Sequence, residues 1–267
     1  MEAHVLYALL AGLFTWAFTA LGAALVFLVR NPNQRFLDGM LGLAAGAMLA
    51  ASFFGLLAPA LESAEESWGG LAWVPVGLGF LAGALLVVLL DRYAVGLRLF
   101  RPLVRSLGER GNRRLALLLV LAIAMHNLPE GLGLGVAFGA AALGLSEAIT
   151  LGGAIALALA IGLHNVPEGM AVAFPLRREG ARPAVAWFYG QLSAIVEPIG
   201  AVLGALLVAA VVPSLPYLLA LAAGVMVFVV VEEIIPSAQG NGSKRLATWM
   251  AVAGFLLIMA LDLTLEG

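Results

Sequence analysis

Long apolar runs separated by short polar patches fill this sequence from end to end. A membrane-spanning helix needs about 20 mostly apolar residues. Eight stretches meet that length, at about 5–29, 37–59, 71–92, 114–139, 146–174, 184–210, 214–236 and 246–264. The pattern predicts an all-α integral membrane protein with eight transmembrane helices, and residues 1–267 read as a single transmembrane domain. The fourth and fifth stretches are joined by only about 140–145, so they are expected to be antiparallel neighbours.

The polar patches orient the chain. All 14 Lys and Arg residues fall at the first, third, fifth and seventh connections or their edges. They are Arg30 and Arg35, then Arg92, Arg98, Arg101, Arg105, Arg110, Arg113 and Arg114, then Arg177, Arg178 and Arg182, then Lys244 and Arg245. Positive charge stays inside, so these connections are cytoplasmic and both termini face out. The arginines of the third loop read as an anchor on anionic lipid. Glu62, Glu65 and Glu66 read as an acidic outer loop, solvated and attractive to cations. The first apolar run has no basic segment before it and is too long for a signal-peptide core, so it reads as a retained span. Only 11% of residues are charged, against about 25% in soluble domains, which removes a soluble reading. The absence of cysteine excludes disulfides and zinc–thiolate sites. The absence of a GxxxxGK[ST] loop excludes an ATPase built into the chain. No nucleic-acid partner is expected.

Within this apolar background one phrase occurs twice, His126-Asn127-Leu128-Pro129-Glu130-Gly131 and His164-Asn165-Val166-Pro167-Glu168-Gly169. Both copies lie deep in spans four and five, where an ionisable residue is expensive and marks a functional site. At 100° per residue Glu130 lies about 40° from His126 and about 60° from Asn127, one turn further on. One carboxylate therefore reaches a cation beside either residue, and Glu168 stands likewise to His164 and Asn165. Pro129 and Pro167 have no N–H for the carbonyls of Met125 and Leu163, a loss tolerated where backbone lines a polar cavity. Gly131 and Gly169 permit close helix approach.

Imidazole, carboxylate and amide oxygen form a borderline ligand set, suited to Zn²⁺, Fe²⁺, Mn²⁺ or Cd²⁺ rather than Cu⁺. Glu197, before Pro198 in span six, is a further candidate ligand, and Glu232 and Glu233 near the inner end of span seven are candidates for a release step. Glu147, Asp262, Asp38 and Asp91 lie near span ends and are expected to be interfacial. A weaker repeat relates Ala44-Ala45-Gly46-Ala47-Met48, with Pro59 closing span two, to Ala222-Ala223-Gly224-Val225-Met226, with Pro236 closing span seven. Opposed helices sharing a pattern suggest inverted repeats in a 3+2+3 grouping.

The paired HNLPEG and HNVPEG, the Glu197-Pro198 of span six and the Glu232-Glu233-Ile234-Ile235-Pro236 of span seven resemble the ZIP family of divalent metal transporters, bacterial members above all. The resemblance implies ion uptake into the cytoplasm across a bacterial inner membrane, with a two-metal centre between spans four and five. It implies that His126, Glu130, His164 and Glu168 hold one ion. Asn127, Asn165 and Glu197 would hold a second, with Glu130 and Glu168 shared, and Glu233 would be an exit-side carboxylate. Two ions per chain are then transported ligands, no catalytic cofactor is needed, membrane lipid surrounds the protein, and a homodimer is an allowed assembly. Many relatives carry histidines in the third loop, where this chain has arginines, and some carry His where it has Glu232. The rival reading is an intramembrane metallohydrolase. It lacks support, since HExxH is absent and a saturated ligand set leaves no position for an activated water.

The orientation is testable in a chain free of cysteine. Cysteine introduced at Ser106 should react only from the cytoplasmic side, and at Ser67 only from outside. Labelling with the sides exchanged would reverse the topology.

Overall fold

The computed structural model describes residues 2–29, 33–95, 111–178, 180–210, 212–240 and 242–266, and every regular element among them is helical. In chain order these are α1 (Ala3–Ala24), α2 (Gln34–Ala50), α3 (Ala58–Trp68), α4 (Trp73–Val95), α5 (Gly111–Leu143) and α6 (Leu151–Arg178). They are followed by α7 (Pro183–Leu192), α8 (Val196–Ala210), α9 (Leu215–Val229), α10 (Ile235–Gln239) and α11 (Lys244–Glu266). Seven helical stretches among the described residues are long and apolar enough to cross a membrane: Ala3–Phe27, Gln34–Glu65, Gly69–Leu89, Leu151–Arg177, Pro183–Ala210, Leu215–Gln239 and Lys244–Leu265. Helix α5, which carries the first copy of the repeated phrase, is 33 residues long. Arg98, Arg101, Arg105 and Arg110 lie outside the described residues.

Local chemistry sets the ends. Asn33 starts α2, its side chain accepting the Arg35 N–H at 2.9 Å. Gly144 stops α5 with φ +60°, a conformation open to glycine, and Leu145 N–H then reaches back to the Ala140 carbonyl at 3.1 Å.

Two expected ends are not ends. Pro59 and Pro236 do not close their spans. In each case a π-helical turn, Ala51–Leu57 or Val230–Ile234, hands over to a further α-helix, α3 or α10, with the proline in its first two positions. A proline there removes an N–H that the new turn leaves unpaired in any case. As a result Glu62 and Glu65 ride on α3 rather than in a loop. The sixth stretch, in contrast, is broken. Residues 193–195 form a turn between α7 and α8. Pro198 cannot donate to the Ala194 carbonyl, which takes the Glu197 N–H instead at 3.0 Å.

The four most extensive helix pairings are α1 with α6, α5 with α8, α2 with α11, and α4 with α9. The expected α5–α6 contact exists but is the lesser one for both helices. Glycine explains the choice. Gly131 and Gly135 of α5 lie against the backbone of Glu197 and Ala201, while Gly200 and Gly204 of α8 lie against Leu128 and Leu132. Gly42 and Gly46 of α2 meet Ala247 and Ala251, and Gly254 of α11 meets Leu43. This is small-xxx-small packing, in which backbones touch and dispersion replaces the hydrophobic effect that lipid cannot supply. Two of the four carboxylates expected at the interface are buried instead. Asp38 is wholly covered, with Gln34 donating to it at 2.9 Å, and Asp262 is 3% exposed. Glu147 is exposed as expected. The side chain of Asp91 lies outside the described residues.

Replacing Gly46 by Val would drive a methyl group into the Ala251 carbonyl. A loss of roughly 3 kcal/mol is expected, read as a lower melting temperature in detergent. Gly77→Val, with open space around it, should stay within roughly 1 kcal/mol of the parent. Equal melting of the two variants would contradict the backbone-contact account.

Candidate metal centre

The two copies of the repeated phrase lie in mid-helix, on α5 and α6, with Pro129 and Pro167 carried inside continuous helices. Asn127, Glu130, His164, Asn165 and Glu197 are each 4% exposed or less. Glu168 is half-buried. For His126 only the helical backbone is described, and its side chain lies outside the described residues.

The pairs form across helices. His164 Nε2 of α6 stands 3.8 Å from Glu130 Oε1 of α5. That is too long for a hydrogen bond. Two ligands each about 2.1 Å from one ion stand about 3.4 Å apart at the tetrahedral angle, so the gap suits a shared cation better than a direct bond. One residue along, Asn165 donates its amide to both Glu197 oxygens at 2.9 Å and to the Thr15 carbonyl of α1 at 3.0 Å. These bonds use both hydrogens of the amide and fix its orientation. Asn127 donates to the Ser193 carbonyl at 3.4 Å and lies within hydrogen-bonding reach of Glu168. Glu168 is also within electrostatic range of Glu130, Glu197 and Glu233.

Among the described residues, Asn127 Oδ1, Asn165 Oδ1 and Glu168 Oε2 have no hydrogen-bond partner. Buried acceptors without donors cost about 1–3 kcal/mol each, and these three lie on the two repeated phrases. Counting only His, Cys, Asp and Glu, no group of three among the described residues is closed on a metal position. The asparagine amides lie among these side chains, beside Glu197 and Glu168.

The two sides of the centre differ. Toward Leu143 and Leu151 it is capped by Leu134, Leu157 and Ile161, packed in one apolar core with Met48 and Met226. Toward Arg178 the half-buried Glu168 leads to Glu232 and Glu233, both exposed, on the π-helical turn after α9.

Three residues of the site escaped notice in the sequence: Thr15 and Thr19 of α1, and Ser193. All three are wholly buried. Thr15 hydroxyl bonds to the Gly12 carbonyl at 3.1 Å and lies within reach of Glu197, and Ser193 makes the matching bond to Gly190 at 2.8 Å. The signal was present. Gly12, Thr15, Thr19 and Gly22 match Gly190, Ser193, Glu197 and Gly200 at the same offset that relates Gly46 to Gly224. Glycine spacing is common here, so the pattern gained meaning only once both segments were seen against the same asparagines.

A bundle of helices long and apolar enough to cross a membrane, with nitrogen- and oxygen-bearing side chains buried in mid-helix, is a construction suited to a membrane transporter for metal cations. A family model described as ZIP Zinc transporter matches residues 106–262. Zinc transporter ZIP11 of Xenopus tropicalis is 39% identical over 98% of both chains. Zinc transporter ZIPB of Bordetella bronchiseptica is 38% identical over 98% of this chain and 82% of its own, and zinc transporter ZupT of Corynebacterium glutamicum is 37% identical over 98% and 99%. The chain belongs to the ZIP family of metal transporters. It is a transporter of divalent metal ions rather than a metallohydrolase, and both animal and bacterial relatives match it over nearly its whole length.

Proposed function

We propose that this protein is a secondary carrier that moves Zn²⁺, and with it Fe²⁺, Mn²⁺ or Cd²⁺, into the cytoplasm through a two-ion centre between α5 and α6. The carrying observation is the buried, cross-helix set of Glu130, His164, Asn165 and Glu197, flanked by the unpartnered oxygens of Asn127 and Glu168. One ion is held by Glu130, His164 and Glu168 together with His126. The second is held by Asn127, Asn165 and Glu197, with Glu130 and Glu168 shared. Carboxylates gathered at one depth in low dielectric repel one another, and divalent cations relieve that repulsion. Glu233 and Glu232 receive the ion on its way out of the centre.

The reading includes eight spans, α5 being the fourth, within one domain of residues 1–267. The pairing of α1 with α6 and α5 with α8, and of α2 with α11 and α9 with α4, supports inverted repeats. Exchanging spans one and six, two and seven, three and eight, and four and five maps each pair onto its counterpart. With the arginine-bearing ends in the cytoplasm and both termini outside a bacterial inner membrane, the apolar cap faces out and the carboxylates face in. Inward movement of a divalent ion gains about 4.6 kcal/mol per 100 mV of membrane potential, which drives uptake without ATP.

Glu130→Ala and Glu168→Ala each open the shared wall of both ion positions. Uptake of every divalent ion into proteoliposomes should fall at least about 100-fold, as expected for ligand loss, while the variants remain folded by size-exclusion chromatography. Near-normal uptake in either variant would remove the centre from the transport path.

A further inference from the structure

The inverted pair of α1 and the α7–α8 segment places one more oxygen at the centre. Thr19 occupies on α1 the position that Glu197 occupies on α8. The backbone contacts agree with the sequence match. Gly131 of α5 lies against the Glu197 carbonyl, and Gly169 of α6 lies against the Thr19 carbonyl. One turn earlier, Asn127 reaches the Ser193 carbonyl and Asn165 reaches the Thr15 carbonyl. Thr19 therefore stands on the turn of α1 that runs along Asn165 to Gly169.

Its hydroxyl is wholly buried and has no hydrogen-bond partner. That is unusual for a helical threonine, which ordinarily bonds back to a carbonyl of the preceding turn. The other buried hydroxyls, Thr15, Ser52 and Ser193, all do so. For Thr19 one acceptor of the preceding turn, four residues back as in Ser52, is the Thr15 carbonyl. In a regular helix that oxygen already takes the Thr19 N–H, and here it takes the Asn165 amide as well, so both lone pairs are used.

We propose that Thr19 is a further ligand of the transported cation, a neutral oxygen donor in the asparagine position of the two-ion centre, opposite the charged Glu197. This rests on the two-ion reading above and extends it. The repeat would allow a carboxylate on both sides of that position, and the chain carries one carboxylate and one hydroxyl. The centre then holds three carboxylates, Glu130, Glu168 and Glu197, against two divalent ions. A residual positive charge of this kind keeps the second ion weakly held and ready to leave.

The test is zinc titration by calorimetry of purified, metal-stripped protein in detergent, with thermal melting beside it. Wild type should show two binding events. Thr19→Val keeps the side-chain shape and removes the oxygen. It should weaken the weaker event at least about tenfold, leave the tighter one unchanged, and raise the melting temperature of the metal-free protein because an unpaired buried hydroxyl is gone. Thr19→Ser keeps the oxygen and should bind within about threefold of wild type. A valine variant that binds both ions as wild type does, or a serine variant as impaired as the valine one, would overturn the assignment. Glu130→Ala separates this failure from that of the underlying reading. If it loses both events while Thr19→Val is silent, the centre stands and Thr19 is not a ligand. If Glu130→Ala retains both events, the two-ion centre itself falls.

Discussion

Backbone-to-backbone contact at glycine is the constraint on which the buried polar cluster proposed as the metal centre depends. Polar side chains in the middle of a membrane helix need partners that water cannot supply. Asn165 and Asn127 find theirs in main-chain carbonyls of neighbouring helices, Thr15 and Ser193. Those carbonyls come within reach because Gly169 and Gly131, one turn along from the asparagines, let α1 and α8 close onto α6 and α5. Any side chain at either glycine would hold the helices apart and leave the amides unbonded.

The same contacts determine what each amide leaves exposed. Asn165 commits its nitrogen to Thr15 and Glu197, which leaves its buried oxygen without a hydrogen-bond partner. Glu130 and His164 approach without bonding directly, at a separation that an ion between them would bridge. The structure thus holds its donors in place by spending their hydrogens on backbone and leaving their lone pairs unspent. The break between α7 and α8 serves this arrangement, because the turn at 193–195 brings the Ser193 carbonyl to Asn127 and the Glu197 side chain to Asn165.

Most of the fold was legible because lipid permits so few solutions. Apolar length located helices long enough to cross a membrane, and the repeated His-Asn-x-Pro-Glu-Gly marked the segments where Asn127, Glu130, His164 and Asn165 are buried. What was misread follows from proline and from burial. Pro59 and Pro236 looked like helix ends because the sequence does not announce a π-helical turn that makes the missing N–H harmless. Asp38 and Asp262 looked interfacial because their distance from a span end says nothing of whether a neighbouring helix covers them. Thr15 and Thr19 went unnoticed because small polar residues are ordinary in membrane helices. Their meaning lies in tertiary partners, the Asn165 amide above all. The preference of α5 for α8 over its sequence neighbour α6 was hidden for a related reason, since short connections suggest proximity and glycine registers decide contact.

The central claim is that cations bind between α5 and α6 on these oxygens and nitrogens. Crystals soaked in zinc and measured at the zinc absorption edge test it directly. Two anomalous peaks per chain are expected, one between Glu130 and His164 and one beside Asn165 and Glu197. Zinc found only at Glu232 and Glu233 or elsewhere on the surface, with the interior empty at saturating metal, would contradict the account.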